Sequence, residues 1–225
     1  MCSPKCSTSV GLKGEKMKLQ ISFDMPDLKQ AIKIAKKVKH YCDIIEIGTI
    51  LIHKYGIKAV QEFTKALEDK IILADTKIID RGVYITQIYA ETGAKWLTVM
   101  AGTSNTVIHR VCSEAENNDM LVMLDMVDSE APGQSALDAK NLGVNAILYH
   151  KAHDAKESLL FLEDLDMVRG NTDLPIFISA RINRDNIDKI LEVKPQGVVV
   201  GTSIVQAENP LEEAKFYYNL CKKGH

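Results

Sequence analysis

The chain has 225 residues, of which 46% are hydrophobic, and this is enough for one globular domain with a continuous core. Its 28 Lys and Arg residues almost balance its 30 Asp and Glu residues. Because such a chain has no broad positive field, we expect no binding to nucleic acid or to an anionic membrane. The composition instead favours a small-molecule partner.

Five cysteines lie at positions 2, 6, 42, 112 and 221, and their spacing matches neither a disulfide framework nor a zinc knuckle within the folded part. We therefore expect a reducing, cytoplasmic location. Residues 1–16 are rich in Ser, Lys and Gly and lack the apolar run of a signal peptide or a membrane span. We interpret them as a disordered N-terminal extension, followed by one domain over residues 17–225.

From Met17 onward, short apolar runs alternate with longer stretches of helical period, and each cycle takes about 25 residues. The predicted strands are Lys18–Phe23, Ile44–Ile47, Ile71–Ala74, Trp96–Val99, Leu121–Leu124, Ala146–Tyr149, Ile176–Ile178 and Val198–Val200. Most are almost continuously apolar, as expected for strands that are covered on both faces.

The segments between the strands carry apolar residues at helical spacing, as in Asp27–His40 and Ile182–Val193. Asp27 and Asn209 are predicted helix N-caps. Eight βα units without a G-x-G-x-x-G motif after the first strand favour a closed barrel over an open, doubly wound sheet. The sequence therefore predicts a single-domain α/β protein with the (β/α)8 TIM-barrel fold.

Polar residues follow the predicted strands, at the end of the barrel where active sites of this fold collect. They are Asp24, Glu46, Asp75 with Lys77, Asp125, His150, Ser179 and Gly201-Thr202. A single carboxylate at such a position often only caps the following helix. Four carboxylates and a lysine at one opening, however, would repel and desolvate each other unless a cation or a charged ligand binds among them.

The segment Asp75-x-Lys77-x-x-Asp80 is the most specific of these features. Residues two apart in an extended strand point the same way, so Asp75 and Lys77 are predicted to face the barrel opening and to contact each other and a substrate. Gly82 is predicted to permit a tight entry into the next helix. A surface cluster of ion pairs is the alternative interpretation.

Residues 74–82 (ADTKIIDRG), together with Asp24 and residues 45–49 (IEIGT), resemble the orotidine 5′-phosphate decarboxylase suprafamily. Within it, they are similar to the branch that contains 3-hexulose-6-phosphate synthase and 3-keto-L-gulonate-6-phosphate decarboxylase. The resemblance covers residues 17–218. It implies an obligate homodimer in which Asp80 reaches the partner subunit's site.

The resemblance also implies a reaction through a Mg²⁺-stabilised enediolate of a pentulose 5-phosphate. It assigns Glu46 and Asp75 as metal ligands and places Asp24 beside the substrate hydroxyls, and carboxylates are ligands that Mg²⁺ accepts. Lys77 would supply fixed positive charge for the developing oxyanion. His150 matches the proton-shuttling histidine of this branch, whereas a lone histidine at a strand end is more often structural.

Two positions separate the two activities of this branch by resemblance. At the end of the fifth strand the synthase has Asp and the decarboxylase Glu, and this chain has Asp125. After the eighth strand the synthase has Gly-Gly and the decarboxylase Gly-Arg, and this chain has Gly201-Thr202. His153 agrees with neither enzyme. Addition of formaldehyde to ribulose 5-phosphate is therefore the leading expectation, with the decarboxylase and a non-catalytic sugar-phosphate sensor as alternatives.

The expected phosphate site departs from the family pattern. TIM barrels hold phosphate with backbone N–H groups after strands seven and eight. The family has Gly-Gly after strand seven, whereas this chain has Ala180-Arg181 after Ser179. Arg181 is expected either to form a bidentate pair with the phosphate or to start the next helix as an ordinary surface residue. Gly201 and Thr202 retain the second half of the site.

Overall fold

A computed structural model of the protein describes residues 16–152 and 165–223. Eight parallel strands form a closed barrel in chain order, with β1 hydrogen-bonded to β8. The strands are β1 (Lys18–Phe23), β2 (Ile44–Ile47), β3 (Ile71–Ile78), β4 (Trp96–Met100), β5 (Leu121–Asp125), β6 (Ala146–His150), β7 (Ile176–Ser179) and β8 (Gly197–Val200). The predicted (β/α)8 TIM barrel is confirmed.

Helices follow the strands around the outside of the barrel. In the described residues they are α1 (Leu28–Val38), α2 (Thr49–Tyr55), α3 (Ile57–Ala66), α4 (Gly82–Ala90), α5 (Asn105–Asn117), α6 (Pro132–Ala139), α7 (Leu165–Gly170), α8 (Ile187–Glu192), α9 (Thr202–Val205) and α10 (Pro210–Lys222), with a short 3₁₀ helix at Lys39–Tyr41. No helix among these residues is long and apolar enough to cross a lipid bilayer.

Local sequence signals define most of these elements. Asp27 caps α1 by accepting a hydrogen bond from the Gln30 N–H at 3.0 Å, and Asn209 caps α10 through the Glu212 N–H. Both predicted N-caps are thus confirmed. The predicted N-terminal extension lies outside the described residues except for Lys16.

The helix predicted at Ile182–Val193 is wrong at its start, because α8 begins only at Ile187. The backbone of residues 181–186 is instead engaged by side chains of the same segment. The Asn183 side-chain oxygen, for example, accepts hydrogen bonds from the N–H groups of Asp185 and Asn186. Such local bonds compete with the helical ones. The spacing of apolar residues does not reveal these side-chain bonds, so the predicted helix started five residues too early.

The core consists of two clusters of buried residues. The larger one joins strand residues such as Ile21 and Phe23 to helix residues such as Ala31 and Ala35. The smaller one is made of residues from alternate strand positions and fills the barrel interior, as the layered side chains of this fold do. Its members are Ile44, Leu73, Trp96, Met123, Ala146, Leu148, Phe177 and Val199.

Candidate active site

A layer of polar side chains lies directly above this apolar interior. On five strands, a polar residue stands two positions after an interior apolar residue and therefore shares its inward direction. The pairs are Ile44 and Glu46, Leu73 and Asp75, Trp96 and Thr98, Met123 and Asp125, and Leu148 and His150. The strand pattern thus places an apolar floor beneath a charged cluster at the carboxyl end of the barrel.

Lys77 lies at the centre of this cluster. Its ammonium nitrogen is 2.5 Å from Asp125 Oδ2 and 3.2 Å from Asp75 Oδ2. The Lys77 side chain is 27% exposed, whereas the side chains of Asp75 and Asp125 are 6% and 0% exposed. The predicted contact between Asp75 and Lys77 is confirmed, and the surface ion-pair interpretation fails because the carboxylates are buried.

The reason for that contact differs from the predicted one. Lys77 has a positive φ of 43°, so it is not part of a regular extended strand. The β3–β4 register shifts between Ala74 and Ile78, and Thr98 holds the irregular segment. Its hydroxyl oxygen accepts the Lys77 N–H at 2.8 Å and its hydroxyl donates to Asp75 Oδ1 at 2.8 Å. A local irregularity stabilised by Thr98, rather than simple alternation, therefore aims Lys77.

His150 is oriented by the same aspartate that binds Lys77. His150 Nδ1 lies 3.0 Å from Asp125 Oδ1 and 3.1 Å from Asp125 Oδ2. With Nδ1 donating to a carboxylate, the other ring nitrogen of the neutral imidazole, Nε2, is left as the proton acceptor. The imidazole is 20% exposed, which leaves it open to the barrel mouth.

Glu46 is buried and held by two side chains of β1. Its carboxylate accepts a hydrogen bond from Gln20 Nε2 at 2.5 Å and another from Ser22 Oγ at 2.8 Å. Burial, followed by repulsion from Asp75, raises the Glu46 pKa from 4.5 to about 7. Gln20 Oε1 is buried beside it without a hydrogen-bond partner in the described structure. The hydrogen bonds from Gln20 and Ser22 and the charge of Lys77 act to lower the Glu46 pKa, but they do not cancel the effect of burial.

The other charged groups of the cluster also have shifted pKa values. Burial, and then the charge of Asp125, raises the pKa of Asp75 although Lys77 opposes the shift. Burial also acts to raise the pKa of Asp125, but the hydrogen bond and the charge of His150, together with Lys77, lower it overall. Burial would lower the pKa of His150, yet the hydrogen bond to Asp125 raises it. Lys77 stays protonated because the charges of Asp75 and Asp125 outweigh its desolvation.

Asp24 and Asp80 lie at the same end of the barrel but outside this buried cluster. Asp24 is exposed, and its Oδ1 accepts the Ile50 N–H in the first turn of α2 at 2.9 Å. Asp24 approaches Gly48 so closely that a Cβ there would lie 2.6 Å from the carboxylate. Asp80 is exposed and accepts a hydrogen bond from the adjacent Arg81 N–H. Of the predicted site residues, these two contact local backbone rather than the cluster.

The predicted phosphate residues lie after β7 and β8. Ser179 ends β7, and its carbonyl accepts the Lys151 N–H. Arg181 is exposed and has a positive φ of 49°. Gly201 passes close to β1, since a Cβ there would lie 3.4 Å from the Ser22 carbonyl oxygen, and Thr202 is exposed at the start of α9.

Gly82 has a different role from the predicted one. Arg81, with φ of 51°, makes the sharp turn into α4. Gly82 is instead buried against α5, where a Cβ would lie 2.6 Å from Val111 Cγ2. Gly82 is therefore required for helix packing and not for a positive φ.

Sequence reasoning missed Gln20, Ser22 and Thr98, which hold Glu46, Asp75 and Lys77. A signal was present, because Gln20 and Ser22 alternate with apolar residues in β1, in register with Ile44 and Glu46, and Thr98 is the one polar residue of β4. His153, whose role the sequence left open, lies outside the described residues.

Within residues 16–152 and 165–223, no group of three or more His, Cys, Asp or Glu side chains forms a ready-made metal site. Two carboxylates with additional oxygen ligands from water and substrate are nevertheless a usual arrangement for Mg²⁺. Glu46 and Asp75 provide such a pair, and burial followed by neighbouring negative charge raises the pKa of each carboxyl group, an effect that a bound cation would oppose. The residues present therefore fit a divalent cation.

The fold and the cluster define a class: (β/α)8-barrel proteins with a buried Glu–Asp–Lys–Asp–His constellation at the carboxyl end of the strands. Residues 17–217 match the model of the orotidine 5′-phosphate decarboxylase / HUMPS family, and the chain belongs to this family.

Three relatives place the chain within the family. The 3-hexulose-6-phosphate synthase of Bacillus subtilis (strain 168) is 30% identical over 210 residues, covering 92% of this chain and 100% of the relative. The crystal structure of 3-hexulose-6-phosphate synthase from Salmonella typhimurium is 25% identical with a TM-score of 0.86, covering 93% of this chain and 100% of that one. That of 3-keto-L-gulonate-6-phosphate decarboxylase from Vibrio cholerae is also 25% identical, with a TM-score of 0.75, covering 91% and 99%. The chain is therefore similar to enzymes of both activities.

Proposed function

We propose that the protein is an aldehyde-lyase that adds formaldehyde to ribulose 5-phosphate and forms a 3-hexulose 6-phosphate. The observation that carries this proposal is the placement of Asp125 between Lys77 and His150. One carboxylate thereby orients both a fixed cation and a proton acceptor at the barrel opening. The similarity to named 3-hexulose-6-phosphate synthases supports the same activity.

In the proposed reaction, His150 Nε2 removes a proton from C1 of the ketose, and the electron pair moves to the C2 oxygen. The Lys77 ammonium stabilises the resulting enediolate because it is held in place before charge develops. The C2 carbonyl then re-forms while the C1=C2 electron pair attacks the formaldehyde carbon. One C–C bond forms, the formaldehyde C=O π bond breaks, and the resulting alkoxide takes the proton from the imidazolium. Atoms and charge balance, and His150 returns to its neutral form.

Glu46 and Asp75 would hold Mg²⁺ in this site, and Asp24 would lie near the substrate hydroxyls. When bound, the cation would supply positive charge that stabilises negative charge developing on the substrate. Two carboxylates with pKa values raised by burial and by neighbouring negative charge support this assignment. Gln20 and Ser22 would hold the Glu46 carboxylate in the same position with and without the bound cation.

The substrate phosphate is proposed to bind near Ser179, Arg181, Gly201 and Thr202. Arg181 takes the place of a family glycine, and a guanidinium can form a bidentate pair with phosphate. Gly201 has no side chain of its own to separate its backbone from a ligand, and a Cβ there would lie 3.4 Å from the Ser22 carbonyl oxygen. The hydroxyl of Ser203 is already engaged, because it donates to the Ile182 carbonyl at 2.6 Å.

A homodimer is proposed in which Asp80 completes the partner subunit's site. Asp80 lies next to exposed apolar residues, with Ile79 and Tyr84 exposed to 65% and 66% and Ile88 on α4 to 46%. Mixing Asp80→Ala and Lys77→Ala subunits tests the sharing, because a mixed dimer then retains one intact site. Recovery of activity on mixing supports a shared site, and two inactive variants that stay inactive in a mixed dimer contradict it.

The activity is tested by incubating purified, Mg²⁺-loaded protein with ribulose 5-phosphate, with and without formaldehyde. Formaldehyde-dependent loss of the ketose, abolished by chelating Mg²⁺ and by Asp75→Asn, is the expected result. CO₂ release from 3-keto-L-gulonate 6-phosphate without formaldehyde addition would support the decarboxylase instead. Ribulose 5-phosphate binding that raises the melting temperature without any turnover would support a sensor.

A further inference from the structure

The loop after β7 contains a non-glycine residue with a positive φ, which the sequence did not predict. Arg181 lies in the left-handed region with φ of 49°, at a position where the family resemblance implies glycine. A non-glycine residue in this region is strained, and such strain persists only where surrounding contacts impose it. The contacts that impose it here can be identified.

Asn186 and Ser203 bind the carbonyl of the strained residue itself and that of the residue that follows it. Asn186 Nδ2 donates to the Arg181 carbonyl at 3.3 Å, and Ser203 Oγ donates to the Ile182 carbonyl at 2.6 Å. Asn186 is itself fixed, because its side-chain oxygen accepts the Asn183 N–H at 2.9 Å. The loop is thus attached both to its own far end and to α9.

A third attachment joins the loop to α10. The Arg184 guanidinium pairs with Glu213, with Nη2 at 2.9 Å from Oε1, and stacks over the Phe216 ring at 3.9 Å from its centroid. The neighbouring Arg181, in contrast, is exposed, and its guanidinium has no hydrogen-bond or ion-pair partner in the described part of the chain. Of the two arginines of this loop, Arg184 therefore contacts α10, whereas Arg181 presents its guanidinium to solvent.

We propose that Asn186 and Ser203 are positioning residues that hold Arg181 in its left-handed conformation so that its guanidinium binds the substrate phosphate. The strain at Arg181 is then retained because glycine, which would relieve it, offers no charge. The inference rests on the proposed function in one respect, since it takes the ligand to carry a phosphate. Beyond the proposed function, it identifies the residues that stabilise an arginine in a backbone conformation that favours glycine.

Arg181→Gly separates this role from a structural one. The substitution relieves the backbone strain, so the melting temperature is expected to rise. The Kd for ribulose 5-phosphate, measured by titration calorimetry, is expected to rise about tenfold or more, because a charge-assisted pair is lost. Unphosphorylated ribulose should bind as weakly to the variant as to the original protein.

Lys194→Gly is the matched control. Lys194 is also exposed with a positive φ, 46°, but it precedes β8 at the opposite end of the barrel. Its replacement should raise the melting temperature and leave the Kd for ribulose 5-phosphate unchanged. If Arg181→Gly behaves like Lys194→Gly, with higher stability and unaltered phosphate binding, the proposed role of Arg181 is refuted.

Ser203→Ala and Asn186→Ala test the positioning step. Ser203→Ala removes one bond to the loop and Asn186→Ala removes two, and both leave the guanidinium present. The Kd or KM for the phosphorylated ligand should therefore rise by about threefold or more while kcat changes less. Ser203→Thr, which keeps the donor, should restore the original value. Folded variants with unchanged KM and Kd would overturn the positioning role.

The experiment distinguishes this inference from the proposed function. Arg181-dependent binding of ribulose 5-phosphate without any formaldehyde addition would retain the inference and remove the aldolase activity. Formaldehyde addition with the same KM in Arg181→Gly as in the original protein would support the aldolase activity and refute the inference about Arg181.

Discussion

The Lys77 ammonium lies 2.5 Å from Asp125 Oδ2, and the same carboxylate binds His150 Nδ1 at 3.0 Å. Asp125 therefore couples the positive charge of Lys77 to the proposed proton acceptor, His150. Because Asp125 is fully buried, neither partner can exchange it for water without cost. A substitution of Asp125 should therefore change the pKa of His150, the position of the Lys77 ammonium and the pH dependence of the reaction.

Asp125→Asn should lower the pKa of His150. The carboxylate favours the charged imidazolium and raises that pKa, so its removal has the opposite sign. The neutral imidazole is the proposed base, and activity should rise with pH through the His150 pKa. In the variant the acid limb of the pH–rate profile should move to lower pH, and kcat should fall about 100-fold or more.

NMR titration of the imidazole, assigned with His150→Gln, measures this pKa directly. Asp128→Asn is a suitable control, because Asp128 follows the same strand but is exposed and accepts a hydrogen bond from the Gly102 N–H. An unchanged His150 pKa in Asp125→Asn, or an equal shift in Asp128→Asn, would contradict the coupling.

Glu46→Gln should stabilise the metal-free protein at neutral and alkaline pH. The folded-state pKa of Glu46 is raised from 4.5 to about 7, so the folded protein binds an extra proton between these values and loses stability as pH rises through them. The variant lacks this penalty. With EDTA present, its free energy of unfolding should match that of the original protein near pH 4.5 and exceed it by up to about 3 kcal/mol above pH 7.

Urea unfolding at a series of pH values measures this difference. Adding Mg²⁺ should reverse the order, because a cation that binds only the folded protein stabilises the original chain and not the variant. A difference in stability that stays constant from pH 4.5 to 8 would contradict the raised pKa. A failure of Mg²⁺ to stabilise the original chain would contradict the metal assignment alone.

Thr98→Val should disrupt the site while keeping the shape of the core. The variant loses the acceptor for the Lys77 N–H and the donor to Asp75 Oδ1, and destabilisation by about 1–3 kcal/mol is expected from these buried groups. Activity should fall more than stability alone explains, because Lys77 is no longer aimed. Thr92→Val, which removes a buried hydroxyl that donates to the Tyr89 carbonyl, should cost stability without a selective loss of kcat.

Gly82→Ala should destabilise the protein by about 1–3 kcal/mol, because the new methyl group would collide with Val111. The second substitution Val111→Ala should recover part of the loss, since it removes the colliding atom. Gly170→Ala is the control, with no atom within 4 Å of the added carbon. Thermal unfolding of the four proteins decides the matter. Equal behaviour of Gly82→Ala and Gly170→Ala would show that the α4–α5 contact is not limiting.

The strands could be predicted closely because their apolar runs are short and bounded by polar residues. β1 (Lys18–Phe23) and β2 (Ile44–Ile47) begin and end at the predicted residues. The same pattern identified Asp75, Lys77, Asp125 and His150 as strand-end residues, and closure of the barrel brings them together.

Other features could not be predicted, because they depend on contacts between distant strands or on local side-chain bonds. The positive φ of Lys77 depends on a hydroxyl from the next strand, that of Thr98. The late start of α8 depends on bonds from Asn183 and Asn186. The need for glycine at position 82 depends on Val111, a residue of another helix.

Exchange at C1 of ribulose 5-phosphate is the most direct test of the central claim, that this one charged cluster generates an enediolate. The Mg²⁺-loaded protein is incubated with the ketose in D₂O without formaldehyde, and the C1 protons are followed by NMR. We predict deuterium incorporation at C1 that falls at least about 100-fold in His150→Gln. Absence of exchange in the folded, metal-loaded protein, or exchange that His150→Gln leaves unaltered, would contradict the claim.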